Sequence, residues 1–205
     1  MLLKVLVLVS CYFSVYGDET LPKCPKIVGR QKWGARPPLE TEHVVIPVEN
    51  VVVHHTDTKA CDTEAACNAI VKSIQDYHMD KQQFPDIGYN FLVGGDGQVY
   101  EGTGWHHKGS HTHGYNSESF GIGFIGSFHK ESPPEKQLLA FETFLYCSVN
   151  MLELKEGYKL FGARQVGNTQ SPGDKLHDAI QKFHSFSPNP PNKTTTDDHH
   201  HHHHH

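Results

Sequence analysis

The sequence lacks a long apolar run, and this absence bears first on the class of protein. Its main apolar segment, Val5–Val9, follows the single charge of Lys4 and is too short to cross a bilayer. Together with the small residue Gly17, it instead gives residues 1–17 the pattern of a secretory signal. We therefore expect a secreted, extracellular protein with no membrane insertion.

An excess of basic residues is also missing. The chain has 18 Lys and Arg against 23 Asp and Glu, a net charge of −5, and removal of residues 1–17 takes away one more Lys. Nucleic-acid-binding domains are usually basic, so no nucleic-acid partner is expected. Seven of the 18 histidines form the run 199–205, which is a purification tag and carries no information about the fold or function.

Cysteine pairs at C-x2-C spacing are absent too, which argues against a cysteine-based zinc site. Of the five cysteines, Cys11 lies in the predicted signal, and Cys24, Cys61, Cys67 and Cys147 remain. An even number in a secreted chain indicates disulfides, and four cysteines allow three pairings. Cys61 and Cys67 are close enough in sequence for a local bridge, in which case Cys24 would join the N-terminal segment to a late helix through Cys147.

Strand and helix patterns alternate along the chain, which predicts a single α/β domain over residues 18–185. The strands are expected near residues 51–53, 89–93, 98–101, 120–128 and 158–161, and the helices near 63–79, 133–152 and 175–183. Residues 22–50 are rich in Pro, Gly and charge and are expected to form an arm over the domain. Residues 186–198 have the composition of a flexible tail, in which Asn192 begins a glycosylation sequon.

Histidines cluster at the ends of predicted elements and in one Gly-rich loop beside Trp105, Tyr115 and Asn116. They are His54, His55, His78, His106, His107, His111 and His113. A single histidine at such a position is usually just exposed. Seven in three loops, with aromatic residues beside them, favour a groove for a polar ligand.

Five segments together resemble the peptidoglycan recognition protein family. In order they are Val51–Thr56 (VVVHHT), Asp86–Gly94 (DIGYNFLVG), Asp96–Trp105 (DGQVYEGTGW), Gly121–Gly126 (GIGFIG) and Ser171–Gly173 (SPG). The resemblance runs from Cys24 to Phe183. It implies the fold of phage-type N-acetylmuramoyl-L-alanine amidases, which is a central mixed sheet flanked by helices, with a family-specific N-terminal segment and a groove for a muramyl peptide. It also implies the pairings Cys61–Cys67 and Cys24–Cys147.

The amidases of this family hold zinc with two histidines and a cysteine. The resemblance places the first histidine at His54, but Ala163 and Ser171 stand where the second histidine and the cysteine would be. Alanine has no donor atom and a neutral hydroxyl is a poor zinc ligand, so neither metal nor cofactor is expected. Tyr89 matches the catalytic tyrosine of the family and Thr169 a polar partner. The sequence therefore predicts a non-catalytic receptor, with residual zinc amidase activity as the alternative.

The resemblance implies that the groove binds bacterial peptidoglycan. The predicted ligand-binding residues are His54, His55, Thr56, His78, Gln82, Gln83, Phe84, Tyr89, Trp105, His111, His113, Asn116 and Thr169. Trp105 is as well placed, on the sequence, to be a core residue.

Selectivity and partners are expectations of the same kind. Lysine-type binders of this family tend to have Asn-Phe where this chain has Gln83-Phe84, and some diaminopimelate binders have an arginine where it has Ser117. Glu118 would repel the additional carboxylate of diaminopimelate if it faced the groove, so a lysine-type preference is predicted. Gln82 departs from the basic residue that is common in lysine-type members. The short secreted members of insect type imply a downstream extracellular serine protease or co-receptor, in a Toll or prophenoloxidase cascade of the haemolymph.

Overall fold

The computed structural model describes residues 23–192, so the predicted signal and the tag lie outside it. One mixed sheet is built from β1 (Ile27–Val28), β2 (Val48–His55), β3 (Phe91–Val93), β4 (Val99–Glu101), β5 (Ser119–Phe124) and β6 (Leu154–Gly162). Its strand order is β1-β4-β3-β5-β2-β6, and β3 and β4 form the antiparallel pair while the remaining pairs are parallel. Three helices cover it: α1 (Glu64–Asp80), α2 (Glu135–Asn150) and α3 (Asp174–Ile180). The predicted α/β class and mixed sheet are confirmed.

The sheet face covered by α2 and α3 carries the larger part of the core. Side chains alternate along a strand, so Phe120, Ile122 and Phe124 of β5 all point to this face and are fully buried there. They pack with Phe141 and Phe144 of α2 in the same cluster. The residues between them in β5 are glycines, which leaves the opposite face of this strand bare.

The helix α1 covers only part of the opposite face. Its N-cap is Thr63, whose hydroxyl accepts a hydrogen bond from the amide of Ala66 at 3.2 Å. The apolar residues Ala66, Ile70, Ile74 and Tyr77 recur at helical spacing, which agrees with the helix, and of these four Ile74 is buried and Ile70 is half-buried. Ala66 and Tyr77 are exposed, whereas Cys67, Val71 and Ile74 face the sheet.

Both disulfides that the resemblance implies are present in the fold. Cys61 and Cys67 join the start of α1 to the loop before it, and Cys24 is bonded to Cys147 of α2 across 123 residues. The long bridge attaches the N-terminal segment, in which β1 extends the sheet by pairing with β4. Residues 22–50, predicted as an arm, thus contribute a strand to the sheet.

The C-terminal segment differs from the predicted flexible tail over its described part. Phe186 forms a bridge with Leu160 of β6, and the hydroxyl of Tyr115 donates a hydrogen bond to the carbonyl oxygen of Pro191. These contacts hold the chain against the domain as far as Pro191, while Asn192 is exposed. Among residues 23–192, no helix has the length and apolar character needed to span a membrane.

Candidate functional site

The floor of the groove is the part of the sheet that α1 leaves uncovered. There β5 presents Gly121 and Gly123, and aromatic rings rest on both. A Cβ atom at Gly121 would lie 2.2 Å from Cγ of His111, and one at Gly123 would lie 3.1 Å from Cδ2 of Tyr89. One face of β5 therefore packs in the core, while the other has no side chains at Gly121 and Gly123 and leaves room for the groove.

His54 ends the valine run of β2 and points to the same face as these glycines. Its Nε2 atom lies 2.9 Å from the hydroxyl oxygen of Thr112, and the same oxygen lies 2.8 Å from Nδ1 of His111. The ring centroids of His54 and Tyr89 are 5.5 Å apart, and those of His54 and His111 are 5.7 Å apart. The structure therefore brings together side chains from three segments that are far apart in sequence.

A second group of rings continues the groove along the end of α1. The ring of His78 lies 5.5 Å from that of Tyr89 and 5.3 Å from that of Phe84, and its Nδ1 accepts the amide proton of Gly88 at 2.8 Å. Gln83, just before Phe84, is exposed and has a left-handed backbone with φ of 60°. Gln82 is also exposed and donates to the hydroxyl of Tyr77 at 3.1 Å.

Burial keeps the polar groups of the groove uncharged at neutral pH. It lowers the pKa of His54 to about 3, with a further contribution from the neighbouring imidazoles of His55 and His78, and it lowers the pKa of His78 to about 4. The pKa of His111 is lowered well below its ordinary value by burial and by His54. Burial also raises the pKa of Tyr89 to about 12, so its hydroxyl keeps its proton.

The open end of the groove is a cleft of about 390 Å³ between the end of β2 and the loop before α3. Ser171 and Thr169 line it, but both hydroxyl oxygens hold the backbone. Ser171 accepts from the amide of His55 at 3.1 Å, and Thr169 accepts from the amide of Ser171 at 3.1 Å. Ala163 lies nearby in the fold and is buried, with a methyl group as its whole side chain.

This arrangement does not fit the zinc ion that the amidases carry. Of the three positions that the resemblance assigns to zinc ligands, only His54 offers a nitrogen ligand, and its Nε2 is engaged with Thr112. Ala163 has no donor atom, and Ser171 is a neutral hydroxyl already committed to the backbone.

A different cluster in the same cleft has the residue types of a metal site. Ligand atoms of His55, Asp57 and His129 lie within 4.8 Å of one another. However, Nδ1 of His55 accepts the amide proton of Phe128 at 3.2 Å, so the neutral ring carries its own proton on Nε2. Metal-binding histidines normally donate from the nitrogen that does not bind the metal, which is the reverse of this arrangement. The cluster would have to give up a backbone hydrogen bond to hold an ion.

Three predicted binding residues make contacts that support the fold itself. Trp105 is partly buried against the core, with its ring stacked on that of Phe144 at a centroid distance of 4.9 Å, which favours the core alternative over the groove. The side-chain oxygen of Asn116 accepts from the amides of His111 and Thr112, both at 2.9 Å, and so shapes the loop that carries them. The hydroxyl of Thr56 accepts from the amide of Gly126 at 3.0 Å.

Two predicted residues, His113 and Glu118, and two that were not predicted add further details of the site. His113 is exposed on the same loop as His111. Glu118 lines a separate depression with Lys155 and Lys159, so the condition for its repelling a ligand carboxylate, that it face the groove, is not met. Sequence reasoning did not identify Thr112 or His129. The only available signal was their position, within the His-rich loop for Thr112 and just after β5 for His129.

Comparison with known proteins adds the family context to this geometry. Residues 45–174 match the family described as N-acetylmuramoyl-L-alanine amidase. Peptidoglycan-recognition protein 2 of Holotrichia diomphalia is 48% identical over 167 residues, which cover 82% of this chain and 89% of that protein.

Two solved structures extend the comparison to the fold. Peptidoglycan recognition protein SA of Drosophila has a TM-score of 0.80 and 43% identity, covering 89% of this chain and 100% of that one. A structure of peptidoglycan recognition protein LE in complex with tracheal cytotoxin, a monomeric diaminopimelic acid-type peptidoglycan, has a TM-score of 0.78 and 38% identity, covering 78% of this chain and 95% of that one.

Proposed function

Because this chain belongs to the peptidoglycan recognition protein family, within the wider N-acetylmuramoyl-L-alanine amidase family, we propose that it binds the muramyl peptide of bacterial peptidoglycan in its histidine-lined groove. One observation carries the proposal. The bare glycine floor of β5 holds two polar rings, His111 and Tyr89, at the surface where a ligand would lie. The complex of the relative with tracheal cytotoxin supports this ligand class.

The chemistry of the groove suits an N-acetylated glycopeptide. Such a ligand presents amides and hydroxyls, which need donors and acceptors rather than charges. His54 and His78 are neutral at physiological pH, and Tyr89 retains its hydroxyl proton. The ring faces of Tyr89 and Phe84 add apolar surface on which a sugar ring can pack.

Binding without cleavage is part of the proposal. The family's amide hydrolysis uses a zinc ion to polarise the carbonyl and activate water, and the residues at Ala163 and Ser171 do not fit that ion. Residual amidase activity is the second candidate, because the match to the amidase family favours it. Zinc-dependent release of stem peptide by tag-free protein would establish the second candidate, whereas equal background with zinc and with EDTA supports the first.

We further propose a preference for lysine-type peptidoglycan. With Glu118 turned away from the groove, the argument rests on two other features. Ser117 supplies no cation for the additional carboxylate of diaminopimelate, and Phe84 packs on His78 at the groove wall. The double substitution Gln83→Gly with Phe84→Trp should shift binding toward the diaminopimelate type, and an unchanged preference would contradict the assignment.

Secretion and signalling complete the proposed role. Two disulfides are typical of an extracellular protein and support secretion. The proposed downstream partner is an extracellular serine protease or co-receptor of a Toll or prophenoloxidase cascade. Adding the protein with lysine-type peptidoglycan to cell-free haemolymph should raise protease or phenoloxidase activity above that with either alone.

The central experiment is a sedimentation assay with tag-free protein and insoluble peptidoglycan of both types. We expect retention in the pellet, stronger on the lysine type. Tyr89→Phe removes one groove hydroxyl while keeping its ring on Gly123, so it should weaken retention. Tyr146→Phe, on α2 at the opposite face of the sheet, is the matched control and should bind like the parent. Absence of retention on either polymer by folded protein would overturn the proposed function.

A further inference from the structure

One hydroxyl group in the groove contacts two imidazoles at once. The oxygen of Thr112 lies 2.9 Å from Nε2 of His54 and 2.8 Å from Nδ1 of His111. Thr112 is 8% exposed, and Asn116 fixes its backbone by accepting the amides of residues 111 and 112. The position of the hydroxyl is thus set by the loop, and the two rings are set by the hydroxyl.

The number of protons that these three groups carry limits how they can hydrogen-bond to one another. A neutral imidazole has one N–H and one acceptor nitrogen, and a threonine hydroxyl has a single proton to donate. Thr112 can donate to one ring only, so at least one ring must donate its N–H to Thr112. A hydroxyl that accepts from one ring and donates to the other satisfies all three groups. The tautomers of the two rings are then coupled, because the ring that donates to Thr112 leaves the other ring to accept from it, and the nitrogen of His54 that does not face Thr112 takes the opposite role from Nε2.

We propose that Thr112 is a positioning residue for ligand binding, which acts by fixing the orientation and tautomer of His54 and His111. The proposal rests on the proposed function, since it assigns how the same groove presents its polar atoms to a glycopeptide. A ligand amide or hydroxyl then meets a fixed donor or acceptor on His54 instead of an exchanging mixture.

Burial makes such a device necessary in this groove. His54 is 8% exposed, and Nε2 of His111 is buried without a hydrogen-bond partner among the described residues. Water is largely excluded from these rings, so the protein must supply their partners. Without Thr112, Nε2 of His54 and Nδ1 of His111 would lose the contact that distinguishes one tautomer from the other.

The first test reads the tautomers directly in the ligand-free protein. Nitrogen-15 NMR of the imidazoles should show one fixed tautomer for His54 and one for His111 in the parent. Thr112→Val replaces the hydroxyl by a methyl group of similar size and should give shifted, averaged signals. Thr112→Ser keeps the hydroxyl and should restore the parent pattern. Unchanged signals in Thr112→Val, or averaged signals in the parent, would overturn the proposal. Should the valine variant not fold, Thr112→Ala removes the same hydroxyl without adding an apolar atom.

The second test measures affinity for a soluble lysine-type muramyl peptide. Thr112→Val should weaken binding about fivefold to tenfold, the size of one hydrogen bond, while Thr112→Ser stays within about twofold of the parent. Thr143→Val is the matched control, because this hydroxyl is also buried but donates to Leu139 within α2. It should lower the melting temperature and leave affinity unchanged. Equal affinities of the parent and Thr112→Val would refute the positioning role, whereas absence of binding by the parent would refute the proposed function and leave the tautomer result standing.

Discussion

Replacing Gly121 by alanine tests the idea that the groove depends on a missing side chain. The added Cβ would lie 2.2 Å from Cγ of His111 and 2.6 Å from Nδ1. Ordinary carbon–carbon contacts are about 3.5–4.0 Å, so something must move by more than about 1 Å. The strand cannot yield easily, because the amide and carbonyl of Gly121 are both hydrogen-bonded to Asn90, each at 2.9 Å. The ring of His111 must therefore move and leave its 2.8 Å contact with Thr112.

The expected cost follows from this geometry. Overpacking of this size costs about 1–3 kcal/mol, which lowers the melting temperature of a domain this long by roughly 3–10 °C. We expect retention on lysine-type peptidoglycan to fall at least as far as in Thr112→Val, since both changes break the same contact.

Alanine substitutions at two other glycines serve as comparisons for Gly121→Ala. Gly123→Ala, with a Cβ 3.1 Å from the Tyr89 ring, should be milder than Gly121→Ala. Gly29→Ala should change neither the melting temperature nor the retention on peptidoglycan, because its Cβ would lie 3.6 Å from Glu101, an ordinary contact distance. Thermal melting and sedimentation on the same samples provide both readouts. If Gly121→Ala melted and bound like the parent, the ring would not be wedged on the strand and the account of the groove floor would be wrong.

Four further outcomes are expected. Burial lowers the pKa of His54 to about 3 and that of His78 to about 4, whereas histidines of the unfolded chain take up protons near pH 6.5. The free energy of unfolding should therefore fall by about 2 kcal/mol per histidine from pH 7 to pH 5. Thermal melts of the parent across this range should show the loss and those of His78→Phe a smaller one, and a melting temperature that does not change with pH would contradict the prediction. Gln83→Gly should raise the unfolding free energy in urea by about 0.5–1 kcal/mol by relieving its positive φ of 60°, and a loss of stability would contradict this. Replacing Cys24 and Cys147 by serine should cost about 5 kcal/mol, because that bridge closes a loop of 123 residues, against about 2 kcal/mol for the short bridge. Tag-free protein should melt at the same temperature with zinc and with EDTA, and a rise with zinc would show that an ion is held.

Local patterns predicted well those features that depend on local chemistry. The strand predicted near residues 51–53 lies in β2, those near 89–93 and 98–101 correspond to β3 and β4, and the helix near 133–152 corresponds to α2. Boundaries were less accurate, since β6 begins at Leu154 and not near residue 158, where the apolar pattern becomes clear. In that strand the exposed residues 155–157 hide the periodicity, and pairing with β2 decides its length.

The features that the sequence left open or missed depend on contacts between distant parts of the chain. Trp105 lies among groove motifs in sequence, yet Phe91, Phe120 and Phe144 from three other elements form the place where its ring packs. Thr112 stands between His111 and His113 in the His-rich loop, but its contact with both rings appears only when β2 brings His54 within 2.9 Å. Side-chain partners of this kind cannot be read from spacing, because spacing describes one element at a time.

The two histidines His54 and His111 show why buried rings in this groove need a dedicated partner. A buried imidazole with no partner would be both costly and free to exchange tautomers. The Thr112 hydroxyl lies within hydrogen-bond distance of both rings and orders them without itself being a reactive group. An ordered ring presents one fixed donor or acceptor to a ligand, and for this reason we expect Thr112 to matter for affinity.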